Sequence, residues 1–163
     1  MQIKELIDRN RHWAKENTSK NSTFFSDLAR EQNPRFLWLG CSDSRVPVIE
    51  VVDLMPGSIF IHRNIANLVV HTDLNCLSVI QYAVNILKIK DVIVCGHYGC
   101  GGIKAAMDGK EHGLIDNWLR HIKDTYRYYQ QELDAVKYFR KRGAICSPSL
   151  IQSSTSTTSA IQL

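Results

Sequence analysis

At 163 residues, with 44% hydrophobic content and a net charge of +4, the chain has the size and composition of one globular domain with a sizeable core. Its basic residues are interspersed with acidic ones, which excludes the electrostatic footprint of a nucleic-acid binder. No apolar stretch reaches the length of a membrane span, and the start MQIKELIDRN is amphipathic and charged without a signal-peptide core, so neither a membrane partner nor secretion is expected and the compartment implied is the cytoplasm.

In chain order, Ile3 to Asn17 carries Ile3, Leu6, Ile7, Trp13 and Ala14 at helical spacing, a narrow stripe suited to lying on another surface. Thr23 to Gln32 reads as a second helix with Ser22 as its cap. The run Arg35 to Gly40 (RFLWLG) is a first strand. Val46 to Leu54 opens with Pro47 in the first turn of a helix, and Pro56-Gly57 then turns the chain into a second strand, Ser58 to His62. Thr72 or Asp73 caps a long helix from Leu74 to Leu87, and Asp91 to Cys95, rich in Val and Ile, is the third strand. Leu114 to Leu133 is a further helix with Trp118, Leu119, Ile122 and Tyr126 on one stripe. The alternation of strand, helix and strand predicts an α/β fold with a parallel sheet core flanked by helices and right-handed crossovers.

After Gly143 the composition changes to SPSLIQSSTSTTSAIQL, a Ser/Thr-rich tract with almost no charge. Such a tract buries little apolar surface, so residues 1–143 are expected to form the domain and 144–163 a disordered tail. The Arg140-Lys141-Arg142 cluster reads as a solvated helix end.

The chemistry concentrates after the first and third strands. RFLWLG delivers CSDSR, and DVIVCG (Asp91 to Gly96) delivers HYGCGG. Cys41 with Asp43, and His97 with Cys100, thus fall at the carboxyl edge of a parallel sheet, where ligands bind. Zinc takes thiolate, imidazole and carboxylate ligands tetrahedrally, and two short pairs on neighbouring loops can close such a shell without ordering a long stretch of chain. These four residues are therefore the expected zinc ligands. Arg45, two residues beyond Asp43, can hold the Asp43 carboxylate in a bidentate pair, so Asp43 has two stations, on the metal or on Arg45. The five cysteines form an odd set without framework spacing, which suits a reducing compartment, and Cys76 and Cys95 lie in apolar, periodic surroundings expected to be core.

CSDSR, then HRNIAN (His62 to Asn67), then GHYGCGG (Gly96 to Gly102) stand in the order and approximate spacing of the β-class carbonic anhydrases, and the chain resembles that family. The likeness runs through PRFLWLGCSDSRVP, HTDLNCLSVIQYAV and WLRHIKD, covers roughly residues 1 to 135, and is strongest to bacterial members. It implies zinc-dependent, reversible hydration of CO2 to bicarbonate, a homodimer or higher homo-oligomer, and an Asp43 that, once on Arg45, orients the attacking oxygen. By the same resemblance Gln32 orients bicarbonate. Phe60, Ile65 and Tyr82 line the pocket, partly across a dimer interface. Gly101 and Gly102 bring the main chain and the following helix N-terminus to the substrate. Trp38, Arg63 and Tyr82 match the set that holds an inhibitory bicarbonate in a subgroup of the family.

Beyond residue 143 the expected further helix and strands are missing from the pattern, so the sequence reads as truncated or frame-shifted, with the third strand left as an exposed edge. Two other readings stand beside the leading one. The chain could be a catalytically impaired homologue that binds zinc or bicarbonate, or a zinc hydrolase acting on carbonyl sulfide or carbon disulfide. A nucleotide site is set aside, because Gly96 to Gly102 matches neither phosphate-loop pattern.

Overall fold

The computed structural model describes residues 1–135. Two compact units arise, Met1–Asn33 and a second beginning at Pro34. The predicted boundary at residue 143, the tail 144–163, the basic cluster 140–142 and Cys146 lie outside the described residues.

In the first unit, α1 (Ile3–Lys20) runs three residues beyond the predicted end, and α2 (Phe24–Arg30) is shorter than predicted at both ends. The α1 N-terminus is closed by a reciprocal capping box between Gln2 and Glu5. The residue at the α2 cap position is Thr23, not Ser22, and its hydroxyl donates to Asp27 one turn on, at 2.7 Å. Trp13 meets Phe24 and Phe25 edge-on at 6.1 and 5.8 Å, which joins the two helices. Ile3, Leu6 and Ile7 of the predicted stripe stay exposed.

The second unit is built on three parallel strands in the order β2-β1-β3. β1 (Phe36–Cys41) lies between β2 (Ile59–Asn64) and β3 (Asp91–Cys95). A central parallel strand is covered on both faces, and Leu37, Trp38 and Leu39 are accordingly all buried. β1 extends one residue further than predicted, and β2 two, so Cys41 and Asn64 are register partners at the carboxyl edge. No strand pairs with the outer edge of β3 among the described residues.

Side-chain alternation divides the core. Leu37 and Leu39 pack with Ala83, Ile89 and Val94 on one face, and Trp38 packs with Val48, Ile59 and Cys95 on the other. Cys76 and Cys95 are buried, as predicted. The predicted helix at 46–54 shrinks to the single turn α3 (Val48–Val51), because Asp53 takes a left-handed φ of 49° that a right-handed helix cannot continue. Asp73, the second of the two predicted caps, accepts the Asn75 N–H at 3.0 Å at the start of α4 (Leu74–Gln81). The predicted remainder, through Ile86, is a π-helical turn closed by Leu87 N–H on the Tyr82 carbonyl.

α5 (Gly101–Met107) is the next element after β3. The long helix predicted at 114–133 is divided at Tyr129 into α6 (Asp116–Tyr128) and α7 (Gln130–Ala135). Leu119 and Ile122 of α6 pack against Ile103 and Ala106 of α5, and Cys41, Cys100 and Ala66 belong to the same cluster. Full burial of a side chain such as Leu119 contributes roughly 1.5–3 kcal/mol, which fixes the α5–α6 pair against the sheet edge that carries the cysteines.

Candidate metal centre

Parallel pairing puts the ends of β1 and β3 side by side, and the loops that leave them carry CSDSR and HYGCGG. The ligand atoms of Cys41, His97 and Cys100 all lie within 4.8 Å of one another, and all three residues are buried. The two sulfurs are 3.8 Å apart. His97 Nδ1 sits 3.1 Å from the carbonyl oxygen of Tyr98. A carbonyl only accepts, so Nδ1 carries the ring proton and Nε2 presents its lone pair. That Nε2 is buried without a hydrogen-bond partner. An unpaired buried imidazole nitrogen costs free energy unless something binds it, and here it faces two thiols. The three residues form a set that could bind a metal ion.

Burial pushes the Cys100 thiol up to about 11, against the N–H groups of Ile103 and Gly102, which favour the thiolate. The first turn of α5 thus aims its backbone donors at the Cys100 sulfur.

Asp43, the expected fourth ligand, is turned to Arg45. Arg45 Nε donates to Oδ1 at 2.9 Å and Nη2 to Oδ2 at 2.7 Å, with the Arg45 backbone N–H adding a bond to Oδ1 at 3.0 Å. The Arg45 side-chain hydrogen bonds, then its backbone N–H, hold the Asp43 carboxyl well below the usual carboxylate range. Its Oδ2 remains 3.8 Å from His97 Nε2, at the rim of the ligand group. Of the two stations foreseen for Asp43, the structure has the one on Arg45.

The other predicted site residues are distributed unequally. Arg63 donates from Nε to the Cys41 carbonyl and from Nη2 to the Asp43 carbonyl, both at 2.6 Å, so it braces the ligand loop. Trp38 is fully buried, and its indole Nε1 has no partner. A Cβ added at Gly40 would meet that Nε1 at 2.4 Å, which places the indole over Gly40, the register partner of Arg63. Trp38 and Arg63 therefore share a sheet face. Tyr82 does not join them, since it stacks on Phe60, a residue of the other face, at 5.8 Å. Phe60 pairs with Leu37, four residues before Cys41, so at the usual strand rise the Phe60–Tyr82 pair stands roughly 13 Å back from the metal centre within one chain. Ile65 lies against α5, where a Cβ on Gly102 would meet its Cγ2 at 2.7 Å. Gly102 is thus required by packing, while Gly101 faces open space. Gln32 is exposed and belongs to the first unit.

Sequence reasoning missed the carbonyls of Tyr98 and Gly99. The first sets the His97 tautomer, and the second accepts Arg45 Nη2 at 3.1 Å. Main-chain carbonyls carry no sequence signal, although the left-handed φ of 66° at Gly99 is one that a glycine between two ligands could have suggested.

Comparison with known proteins bears on the whole arrangement. The family model for carbonic anhydrase matches residues 36–159, and so runs beyond residue 135, where the resemblance was expected to stop. A carbonic anhydrase of Emericella nidulans is 47% identical over 133 residues, 82% of this chain and 58% of the relative. Among solved structures, one of two tetrameric β-carbonic anhydrases from Sordaria macrospora superposes with a TM-score of 0.77 at 43% identity, over 83% of this chain and 69% of that one. The Coccomyxa β-carbonic anhydrase in complex with acetazolamide gives 0.77 at 38% identity, over 83% and 62%. The chain thus spans little more than half the length of the Emericella relative. Two of these three are fungal and the third is the Coccomyxa protein, so a bacterial subtype is not shown by them. With the family model covering most of its length and the two ligand loops in place on a matching fold, the chain belongs to the carbonic anhydrase family, in its β class.

Proposed function

We propose that the chain interconverts CO2 and bicarbonate with a zinc ion held by Cys41, His97 and Cys100. The observation that carries this reading is the buried, unpartnered His97 Nε2 beside the two sulfurs, with an ionised carboxylate at the rim. Two thiolates and an imidazole are a donor set suited to zinc, and three protein ligands leave the fourth position open. Zinc, when bound, supplies a water of lowered pKa, about 7 instead of 15.7, and hence a nucleophile at neutral pH.

The chain's own residues do the rest. Arg45 keeps Asp43 ionised and fixed, so a carboxylate oxygen is available to accept a hydrogen bond from the attacking water and orient it toward CO2. Arg63 fixes the backbone from which Cys41 and Asp43 project. Burial of the cysteines keeps bulk water from competing. Gln32, Phe60, Ile65, Tyr82, Gly101 and Gly102 are proposed as substrate-binding on the resemblance. For Phe60 and Tyr82 that role needs a second copy, because in one chain they stand back along the strand.

A homo-oligomer is part of the proposal. It is supported by the tetrameric Sordaria relatives and by the exposed apolar stripe of α1. None of the four described cysteines is in a disulfide, which supports a reducing, cytoplasmic compartment, and no helix among the described residues is long and apolar enough to cross a membrane. Neither the impaired-homologue nor the carbonyl sulfide reading gains support, since the relatives are named as carbonic anhydrases.

A bicarbonate-inhibited state is a second reading, favoured by the orphaned Trp38 indole N–H on the same face as Arg63. An anion there would compete with the carbonyls of Cys41 and Asp43 for the guanidinium.

The test is CO2 hydration by purified, metal-quantified protein, alongside its mass in solution. Tightly held zinc with turnover is expected, and Cys41→Ser and Cys100→Ser should each lose turnover together with the zinc of this centre. Zinc binding without hydration would favour the impaired homologue.

A further inference from the structure

Outside the Cys41–His97–Cys100 centre, His62, Asp73 and Cys76 also bring their ligand atoms within 4.8 Å of one another. We propose that these three residues form a second metal site, selective for zinc-like divalent transition ions. The stretch HTDLNC places Asp73 and Cys76 three residues apart in the first turn of α4, so both project on one face of the helix. β2 supplies His62 on the sheet face that α4 covers. His62 and Cys76 are buried and Asp73 is half-buried.

The polar bonding of the cluster leaves capacity to spare. Asp73 Oδ1 is taken by the Asn75 N–H at 3.0 Å, which leaves Oδ2 for a further role. Asn64 is held at both ends of its amide by Leu68, and its Nδ2 comes no closer to His62 Nε2 than 3.4 Å, too long for a strong hydrogen bond. A buried imidazole, thiol and carboxylate therefore converge without satisfying one another. Asp73 also lines an open cleft of about 740 Å³ together with Ser42, Asn64, Asn75 and His112, so the carboxylate edge of the cluster reaches solvent while His62 and Cys76 lie behind it.

One nitrogen, one sulfur and one carboxylate oxygen suit zinc, cobalt or cadmium and not magnesium or calcium, which take oxygen. Zinc bond lengths of about 2.0–2.3 Å set ligand separations near 3.3–3.8 Å, so closing the site needs side-chain shifts on the order of 1 Å. Asp73 and His62 can make them by χ rotation without moving the sheet.

The experiment counts metal in the full chain after chelation and re-equilibration with buffered Zn²⁺, and repeats it with Co²⁺, whose thiolate charge-transfer absorption reports each Cys–metal bond. Two equivalents are expected. Cys41→Ser should keep one, with a cobalt–thiolate signal that survives, whereas Cys76→Ala and Asp73→Asn, which retains the helix cap, should each weaken the second equivalent by more than about tenfold while keeping the first. A single equivalent in the unaltered chain that persists in Cys76→Ala and Asp73→Asn would overturn the proposal. So would two equivalents that both persist in Cys76→Ala and Asp73→Asn, because the second ion would then lie elsewhere. Failure of the first site alone, with the second still loading, would instead count against the proposed carbonic anhydrase centre.

Discussion

Arg45 Nη2 donates to the Gly99 carbonyl at 3.1 Å, across a sequence separation of 54 residues, while the same guanidinium holds Asp43. One side chain thereby ties the CSDSR loop to the HYGCGG loop and sets the distance between Cys41 and the pair His97 and Cys100.

Arg45→Ala should therefore do two things. The Asp43 carboxyl should titrate higher than in the unaltered chain, toward the ordinary value of about 3.9, and CO2 hydration should fall by roughly 10²-fold or more as the carboxylate loses its orientation. Carboxyl NMR titration checks the first and stopped-flow hydration the second. Full activity would remove the carboxylate pair from the mechanism. The sign for stability follows from the same pair. The folded-state value of Asp43 is depressed, so its contribution is fully present above the unfolded value and is lost as pH falls through the depressed one, below the usual carboxylate range.

Activity should rise with pH across about 7 to 9, because the nucleophile must lose a proton while Asp43 is already ionised throughout that window. A pH–rate profile with a single ascending limb is the expected result, and a limb near the carboxylate range would assign the titration to the wrong group.

Glycines 101 and 102 should respond unequally to alanine. At Gly102 the added Cβ would meet Ile65 Cγ2 at 2.7 Å and Ala66 Cβ at 3.1 Å, so Gly102→Ala should destabilise by about 1–3 kcal/mol. Ile65→Ala in the same chain should recover part of that loss. Gly101→Ala meets nothing within 4 Å and should leave stability within about 1 kcal/mol. Urea unfolding of the four proteins measures all of this, and equal effects at the two glycines would contradict the packing described.

Arg63→Ala should loosen the ligand loop, since two carbonyls lose a charged donor at once. Weaker zinc retention against a chelator is expected. If the bicarbonate-inhibited state exists, its inhibition should also disappear in Arg63→Ala and weaken in Trp38→Phe, which removes the unpartnered indole N–H along with part of a buried ring system. Unchanged bicarbonate inhibition in both variants would discard that state and leave the metal centre untouched.

The sequence by itself determined the parallel α/β layer, because the apolar runs at β1 and β3 and the helical periodicity between them are local patterns that admit few other arrangements. It also singled out four candidate ligands, of which Cys41, His97 and Cys100 come together in the structure while Asp43 turns to Arg45. Cys41, His97 and Cys100 are recognisable because thiolate and imidazole at short spacing, placed after strands, have few chemical uses. Tertiary structure decided how these residues are held. The division of Trp38 and Arg63 from Tyr82 follows from which way each strand residue points, and a shift of one residue in register would reverse it. The shortening of α3 depends on the backbone at Asp53, and the tautomer of His97 on a carbonyl that any residue could have supplied. Most of all, the convergence of His62 with Asp73 and Cys76 has no sequence spacing to announce it, since β2 and α4 meet only when the sheet face is covered.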